Sequence, residues 1–332
     1  MKIKTVSILG AGSWGTTLAI VLSSKKDLQI RLWSPFRKQI RSIKKTGYNK
    51  GYLDDVRLPK RILLTNDLAA ALASELIIVA IPTAYLRGIL KKIQKTRLDC
   101  KGKIFLSVVK GIETEGLKTP SQIIHEELGL KAAVLSGPTI AKEVVRKVPT
   151  VATIASRDER KALRLQEVFK GTALRTYRSR DLFGTELAAA VKNIIAIACG
   201  ISDGLGFGTN TKAALVTRGV VEMARLGSKL RARPATFWGI SGIGDLVTTC
   251  FSPYSRNRFV GEEIGRGKSL KKVINRMTMI AEGVDTVRSV YRLSKRTKVD
   301  MPITNQVYSM LYRDKDPRRA VKDLMSRPLK AE

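Results

Sequence analysis

Six residues, Gly10-Ala11-Gly12-Ser13-Trp14-Gly15, constrain this chain more than any others. They follow a short apolar run, Thr5–Leu9, and open a segment of helical character, Trp14–Ser24. A strand that enters a helix through three spaced glycines allows a tight turn and a close approach of backbone to a pyrophosphate, which rests on the helix N-terminus. The glycine spacing alone is common, but between a strand and a helix it specifies a βαβ dinucleotide-binding unit. The opening MKIKTVSILGAGSWG has the basic start of a signal peptide. Its apolar run is too short for one and passes straight into the glycine turn, so it reads as a first strand.

Further short apolar runs follow at Gln29–Trp33, Ile62–Thr65, Leu76–Ile81, Ile104–Val109, Ala132–Ser136, Val151–Ile154 and Leu174–Tyr177. Several are continuous rather than alternating, as expected for strands buried on both faces of a parallel sheet. Helical segments such as Asp67–Ala73 and Gln122–Leu128 lie between them, which predicts an α/β fold with a Rossmann-type doubly wound parallel sheet. From about Gly184 the strand signal stops. Helices are expected over Glu186–Ile201, Thr211–Leu226, Ser255–Ile264, Val284–Leu293 and Asn305–Tyr312, separated by glycine clusters at Gly200–Gly208 and Gly239–Gly244. The expected division is a dinucleotide-binding domain over 1–180 and an all-α C-terminal domain over 181–332, joined through Arg178–Asp181.

Composition removes several function classes. No stretch approaches the ~20 uninterrupted apolar residues of a membrane span. Three cysteines, Cys100, Cys199 and Cys250, form no CxxC pair, which points to a reduced, cytoplasmic protein without a metal site. The 61 Lys and Arg against 28 Asp and Glu give a net charge of +33, but the basic residues come in scattered pairs such as Lys25-Lys26 and Lys91-Lys92. No run or module indicates a dedicated nucleic-acid function; weak attraction to polyanions at low salt is expected instead.

The single histidine, His125, is expected on an outward helix face, so proton chemistry needs another group. Lys192 lies within the apolar helical run Leu187–Ile201. Desolvation disfavours its ammonium form, making it a candidate proton carrier; the alternative is a lysine that snorkels out of a core helix. Loops at the ends of later strands, Ala80–Thr83, Lys110–Glu113 and Ser136–Thr139, should line a ligand cleft, with Pro138 at the start of a helix. Asp245 follows the second glycine cluster, and Ser255-Arg256-Asn257 open a helix where arginine and helix dipole suit a phosphate. The second strand ends in Trp33-Ser34 without the usual acidic residue, and Arg37 and Lys38 follow. That favours NADPH, or tolerance of both cofactors, over strict NADH, because a carboxylate there would hold the ribose hydroxyls and repel a 2′-phosphate.

These segments resemble the bacterial-type NAD(P)-dependent glycerol-3-phosphate dehydrogenases. The matching pieces are GAGSWGTTLA from Gly10, KGIE from Lys110, LSGPTIAKEV from Leu135, ELAAAVKNIIAIACGISDGLGFG from Glu186, KAALVTRG from Lys212, GDLVTTC from Gly244, SRNR from Ser255 and AEGV from Ala281. They fall in the family's order across nearly the whole chain. The resemblance implies that Lys192 is the proton acceptor, and that Lys110 and Asp245 contact and polarise the substrate. It further implies substrate contacts at Gly137, Thr139, Ser255, Arg256 and Asn257. Cofactor contacts are implied at Gly10, Gly12, Ser13, Trp14, Gly15, Arg37, Tyr52, Lys110, Ala141, Arg256 and Glu282.

The chain departs from the family pattern at Asp54, where Asn49-x-x-Tyr52-Leu53 would continue in proline, at Thr139 for serine and at Thr209 for aspartate. The implied activity interconverts sn-glycerol 3-phosphate and dihydroxyacetone phosphate with NADPH or NADH, supplies phospholipid synthesis in the cytoplasm and fits a homodimer. The rival is a related two-domain dehydrogenase acting on a hydroxy acid or sugar acid. A pure polyanion binder would not need Lys192, Lys110 and Asp245.

Overall fold

The apolar runs form strands because both of their faces are covered. In the computed structural model, which describes residues 2–329, the chain divides into two compact units. One comprises Met1–Lys110 and Lys118–Glu186, the other Gly111–Leu117 and Leu187–Glu332.

The first unit is built on the strands β1 (Thr5–Leu9), β2 (Gln29–Trp33), β5 (Leu63–Thr65), β6 (Leu76–Val79), β7 (Ile104–Ser107), β8 (Ala133–Ser136), β9 (Thr150–Ala155) and β10 (Leu174–Ser179), with a separate hairpin of β3 (Tyr48–Asn49) and β4 (Leu53–Arg57). Its helices are α1 (Ser13–Ser23), α2 (Arg37–Thr46), α3 (Leu68–Leu72), α4 (Thr83–Lys95), α5 (Pro120–Leu128), α6 (Ala141–Val144) and α7 (Glu159–Phe169). The eight-stranded sheet has the order β10-β9-β8-β7-β6-β1-β2-β5. Successive side chains of one strand point to opposite faces. Ile8, Ile78 and Leu106 accordingly enter a core with Leu18 and Leu22 of α1 and Leu165 and Phe169 of α7. Their neighbours Leu9, Ile77, Val79 and Phe105 enter a second core with Leu72 of α3, Leu86 and Leu90 of α4, and Ile123 of α5. Apolar residues at both parities produce the unbroken runs in the sequence.

One feature departs from an all-parallel sheet. β8 and β9 pair antiparallel, so β9 and β10 run against the other six strands. The connection from Ser136 to Thr150 contains only the four-residue α6, too little helix to cover a parallel crossover, and an antiparallel return needs none.

The second unit is helical: α9 (Thr209–Lys229), α10 (Pro234–Trp238), α11 (Asp245–Phe251), α12 (Arg256–Gly265), α13 (Leu270–Asn275), α14 (Glu282–Thr297), α15 (Pro302–Tyr312) and α16 (Pro317–Met325) surround α8 (Leu182–Gly204). This unit begins at Leu187 rather than at 181 and takes Gly111–Leu117 with it. Ser289 Oγ donates to the Ile112 carbonyl at 2.9 Å and Arg292 to the Thr114 carbonyl at 2.6 Å, which hold that segment on α14. α8 is long and apolar enough to cross a membrane, yet 89% of its most apolar window is buried in the protein.

α8 also runs through Gly200 and Gly204, which the sequence suggests are separators. Those glycines meet α12: a Cβ on Gly200 would lie 1.9 Å from the Arg258 carbonyl oxygen, and one on Gly204 2.2 Å from that of Glu262. Gly261 and Gly265 reciprocate against the Ile197 and Ile201 carbonyls at 2.0 and 2.4 Å. Two small-x-x-x-small faces therefore bring the helix backbones into contact. The second cluster, Gly239–Gly244, forms a π-helical turn, Ile240–Gly244, that leads into α11.

Two buried carboxylates cap helix N-termini. Glu186 accepts from the Ser121 amide at 2.8 Å and its hydroxyl at 2.5 Å at the start of α5. Glu222 accepts from the Ile303 amide and, at 3.2 and 3.1 Å, from the Thr304 amide and hydroxyl at the start of α15. Burial pushes both up to about 7, against the opposing effect of those donors. The folded protein thus holds protons that the unfolded chain releases above about pH 4.5. The stabilisation is fully present below that pH and declines as pH rises towards 7, by up to about 3 kcal/mol for Glu222. Replacing Glu222 by glutamine removes that proton. Unfolding free energies measured for both proteins across this window are expected to show a wild-type advantage that shrinks as pH rises; a constant difference contradicts the assignment.

Candidate active site

The first-unit turn sorts its glycines by function. Gly10 has φ of +115° and donates its amide to the Trp33 carbonyl at 3.0 Å, and a Cβ there would lie 2.5 Å from the Ala80 carbonyl oxygen. A Cβ on Gly15 would lie 1.9 Å from the Gly10 carbonyl oxygen. Packing demands both. A Cβ on Gly12 would meet nothing within 4 Å, and Gly12 caps α1 without a side-chain hydrogen bond. The first-turn N–H groups of α1 therefore have open space before them, as a pyrophosphate requires. Trp14 Nε1 in the same turn is a buried donor with no partner among the described residues.

Around this turn, Ser13 Oγ donates to the Tyr52 carbonyl at 2.9 Å, which fixes the β3–β4 hairpin. Asn49 Nδ2 donates to the Ala11 carbonyl at 2.9 Å and to Thr16 Oγ1 at 2.7 Å, and Gln39 Nε2 donates to the same carbonyl at 2.8 Å. At the end of β2, Ser34 Oγ donates to Gln39 Oε1 at 2.6 Å, so the position of the usual acid holds a neutral hydroxyl. Arg37 and Lys38 are exposed at the N-terminus of α2. A cavity of about 320 Å³ lies beside them, lined in part by Phe36, Lys38, Tyr48, Lys50 and Tyr52. Ala141, half-buried, opens α6, and its carbonyl accepts from Thr17 of α1 at 3.4 Å. Open glycine space, bare helix N-termini and cations without a competing carboxylate among the described residues fit a phosphorylated dinucleotide.

Lys110 lies three residues beyond β7. Its Nζ donates to the Gly137 carbonyl at 2.9 Å and to Thr139 Oγ1 at 3.3 Å. Gly137 has φ of +151°, which favours glycine. Pro138 does not start a helix as expected. The chain stays irregular through Thr139, whose hydroxyl donates back to the Gly137 carbonyl at 3.1 Å, and α6 begins only at Ala141.

In the second unit, Lys192 does not snorkel. It is 4% exposed, and its Nζ lies 2.5 Å from both Asp245 Oδ1 and Thr249 Oγ1. The Thr249 hydroxyl donates to the Asp245 carbonyl at 2.7 Å, so its lone pair accepts from the lysine. Asp245 is 1% exposed and stands where the π-helical turn Ile240–Gly244 passes into α11. Its charge opposes the effect of burial on the ammonium. One turn of α8 thus presents a buried amine clamped from α11.

The next residue, Asn193, accepts from Asn257 Nδ2 at 2.8 Å, and Asn257 Oδ1 accepts from the Gly283 amide at 3.0 Å. The first of these bonds ties the start of α12 to α8, and the second ties it to the start of α14, where Glu282 is the first residue. Ser255 caps α12 by accepting from the Arg258 amide at 3.2 Å. Arg256 follows at the first helical position, exposed and near the Glu282 charge. Desolvation holds its guanidinium below the ordinary arginine value and Glu282 counters that, but it stays charged. A cation on a helix N-terminal turn is ready for a phosphate.

The family model described as NAD-dependent glycerol-3-phosphate dehydrogenase N-terminus matches residues 5–162, and its C-terminal counterpart matches 181–322. The chain belongs to this family. It is 46% identical to the glycerol-3-phosphate dehydrogenase [NAD(P)+] of Thermoanaerobacter sp. (strain X514), over 98% of both chains. Identity to the enzyme of the same name from Leptospira biflexa is also 46%, over 98% of this chain and 99% of that one. The solved glycerol-3-phosphate dehydrogenase of Coxiella burnetii superposes with a TM-score of 0.93 at 36% identity, over 98% of this chain and 99% of that chain.

Sequence reasoning about this family member leaves out Thr249 as a partner of the lysine, although it stands four residues after Asp245, one turn along the same helix face. It also leaves out Asn193 and the brace formed by Gln39 and Asn49 behind the glycine turn. His125 is exposed on α5, as expected.

Proposed function

We propose that the chain interconverts dihydroxyacetone phosphate and sn-glycerol 3-phosphate with NADPH or NADH, NADPH being preferred. The single observation that carries this reading is the buried Lys192 ammonium held by Asp245 and Thr249 in a chain with an open dinucleotide turn. Reduced nicotinamide, when bound, supplies the hydride for the C2 carbonyl. Arg256 and the α12 N-terminus hold the substrate phosphate. Lys110 stabilises the developing negative oxygen. Lys192 gives that oxygen its proton and regains one from solvent; in the oxidative direction it takes the hydroxyl proton. Asp245 and Thr249 fix the amine and keep its charge compensated throughout. Gly10, Gly12, Ser13, Trp14, Gly15, Tyr52, Ala141 and Glu282 belong to the dinucleotide site, and Gly137, Thr139, Ser255 and Asn257 to the substrate site.

The cofactor preference rests on Ser34 in place of an acid, with Arg37 and Lys38 beside it. We place the reaction in the cytoplasm of a homodimeric enzyme, with its product supplying phospholipid synthesis. The test follows oxidation of NADPH and NADH in parallel with dihydroxyacetone phosphate and with unphosphorylated dihydroxyacetone. Removing the phosphate is expected to lower kcat/KM by at least about 10-fold, from the ~1.5–3 kcal/mol of a charged hydrogen bond. Equal rates with both ketones would favour a dehydrogenase of unphosphorylated hydroxy acids or sugar acids. Faster turnover with NADH would overturn the cofactor preference.

A further inference from the structure

Most of the charge on this chain has no place in the proposed reaction. Some of the basic groups elsewhere meet carboxylates: Arg258 pairs with Asp203 and Glu262, and Arg266 with Glu262 and Glu263. The outer face of α14 and α15 is different. Tyr291 and Tyr308 stack with ring centroids 3.8 Å apart and planes 3° from parallel. Arg313 sits over both rings at 5.7 and 5.3 Å, Lys295 over Tyr291 at 5.2 Å, and Arg288 over Tyr312 at 4.1 Å. Aromatic faces thus hold these cations in place, and none of them has a carboxylate within ion-pair distance among the described residues. Exposed Arg292 and Arg296 on α14 extend the same charge.

An apolar feature lies at one end of this face. Met325, the last residue of α16, is 81% exposed and Leu329 is 99% exposed. Arg327 pairs with Asp300 at 2.7 Å, which brings the end of α16 to the C-terminal end of α14. Arg318, Arg319 and Lys322 of α16 are exposed too. Uncompensated cations beside solvent-facing aliphatic side chains are the combination that adsorbs to an anionic lipid surface.

We propose that the α14–α16 face docks the enzyme peripherally on anionic bilayers. Phosphate headgroups meet the tyrosine-supported cations, and Met325 and Leu329 reach the acyl boundary. A nucleic acid fits less well, because single-stranded binding relies on open ring faces for base stacking, and these rings are covered by one another and by cations.

The test is co-sedimentation of the full-length protein with vesicles of equimolar phosphatidylglycerol and phosphatidylcholine, against phosphatidylcholine alone, at low and high salt. Binding is expected only to the anionic vesicles and is lost at high salt. The triple variant Arg288→Glu, Lys295→Glu, Arg296→Glu is expected to weaken it about 100-fold, with turnover unchanged as proof of folding. A charge-matched control, Lys91→Glu, Lys92→Glu, Lys95→Glu on α4, is expected to bind almost as well as the wild type. Equal loss in both variants means that net charge alone is responsible and overturns the site. Met325→Ser with Leu329→Ser is expected to weaken vesicle binding while leaving any binding of poly-uridine unchanged. No effect of that pair, or poly-uridine bound more tightly than vesicles through the same arginines, refutes the lipid assignment.

Discussion

Alanine in place of Lys192 lowers turnover of dihydroxyacetone phosphate by about 10²–10⁴-fold, the usual contribution of a positioned proton donor, and leaves NADPH affinity within a small factor of wild type. The amine donates to Asp245 and Thr249, which fix its position on α8. Removing it has a second consequence. Asp245 is left buried without its cation, and breaking such a pair costs about 3–5 kcal/mol. Chemistry and folding must therefore be separated. Lys192→Met combined with Asp245→Asn removes both charges and keeps the volume, so it is expected to recover most of the stability without recovering turnover. Stopped-flow measurement of NADPH oxidation, beside thermal unfolding of each variant, reads the two quantities independently. A Lys192→Ala protein with normal turnover sinks the proposed role of the amine.

The parts of this fold legible in the sequence are those encoded within one element. The glycine turn is local, and Gly10 and Gly15 are fixed by atoms of the turn and the adjoining strand end. The sheet strands were readable because apolar residues at both parities mark burial on both faces. Strand direction is a tertiary property, and the reversal of β9 and β10 leaves no trace in their composition. β3 is two residues long, too short for any periodicity, although its Asn49 braces the turn. Lys192 was conspicuous as a cation in an apolar helix, whereas Thr249 was one hydroxyl among many until α11 packed beside α8. Glycines mislead for a related reason. Gly within a helical pattern is unfavourable by about 1 kcal/mol relative to Ala, so Gly200 and Gly204 read as a break; only α12 explains why they remain helical.

That crossing yields the second large effect, from the addition of one methyl group. In Gly261→Ala the new Cβ would lie 2.0 Å from the Ile197 carbonyl oxygen, and backbone, unlike a flexible side-chain tip, cannot step aside. α8 and α12 must move apart by about 1 Å at least, because real Cβ contacts do not fall below 3.0 Å. Separation also loosens the contacts at Gly200, Gly204 and Gly265, so the loss is expected at or above the upper end of over-packing, about 3 kcal/mol or more. Gly88→Ala, in the exposed side of α4 where a Cβ meets nothing, should by contrast stabilise by up to about 1 kcal/mol. Thermal unfolding of both variants checks the sign. The displacement reaches the proposed substrate site as well, since α8 carries Lys192 and Asn193 while α12 begins with Arg256 and Asn257. Pushing the helices apart strains the Asn193–Asn257 hydrogen bond and shifts the arginine from the amine. KM for dihydroxyacetone phosphate should therefore rise more in Gly261→Ala than KM for NADPH, because the glycine turn of α1 does not depend on this crossing, whereas Arg256 and Glu282 do. Parallel increases in both constants would mean general unfolding rather than a displaced phosphate anchor.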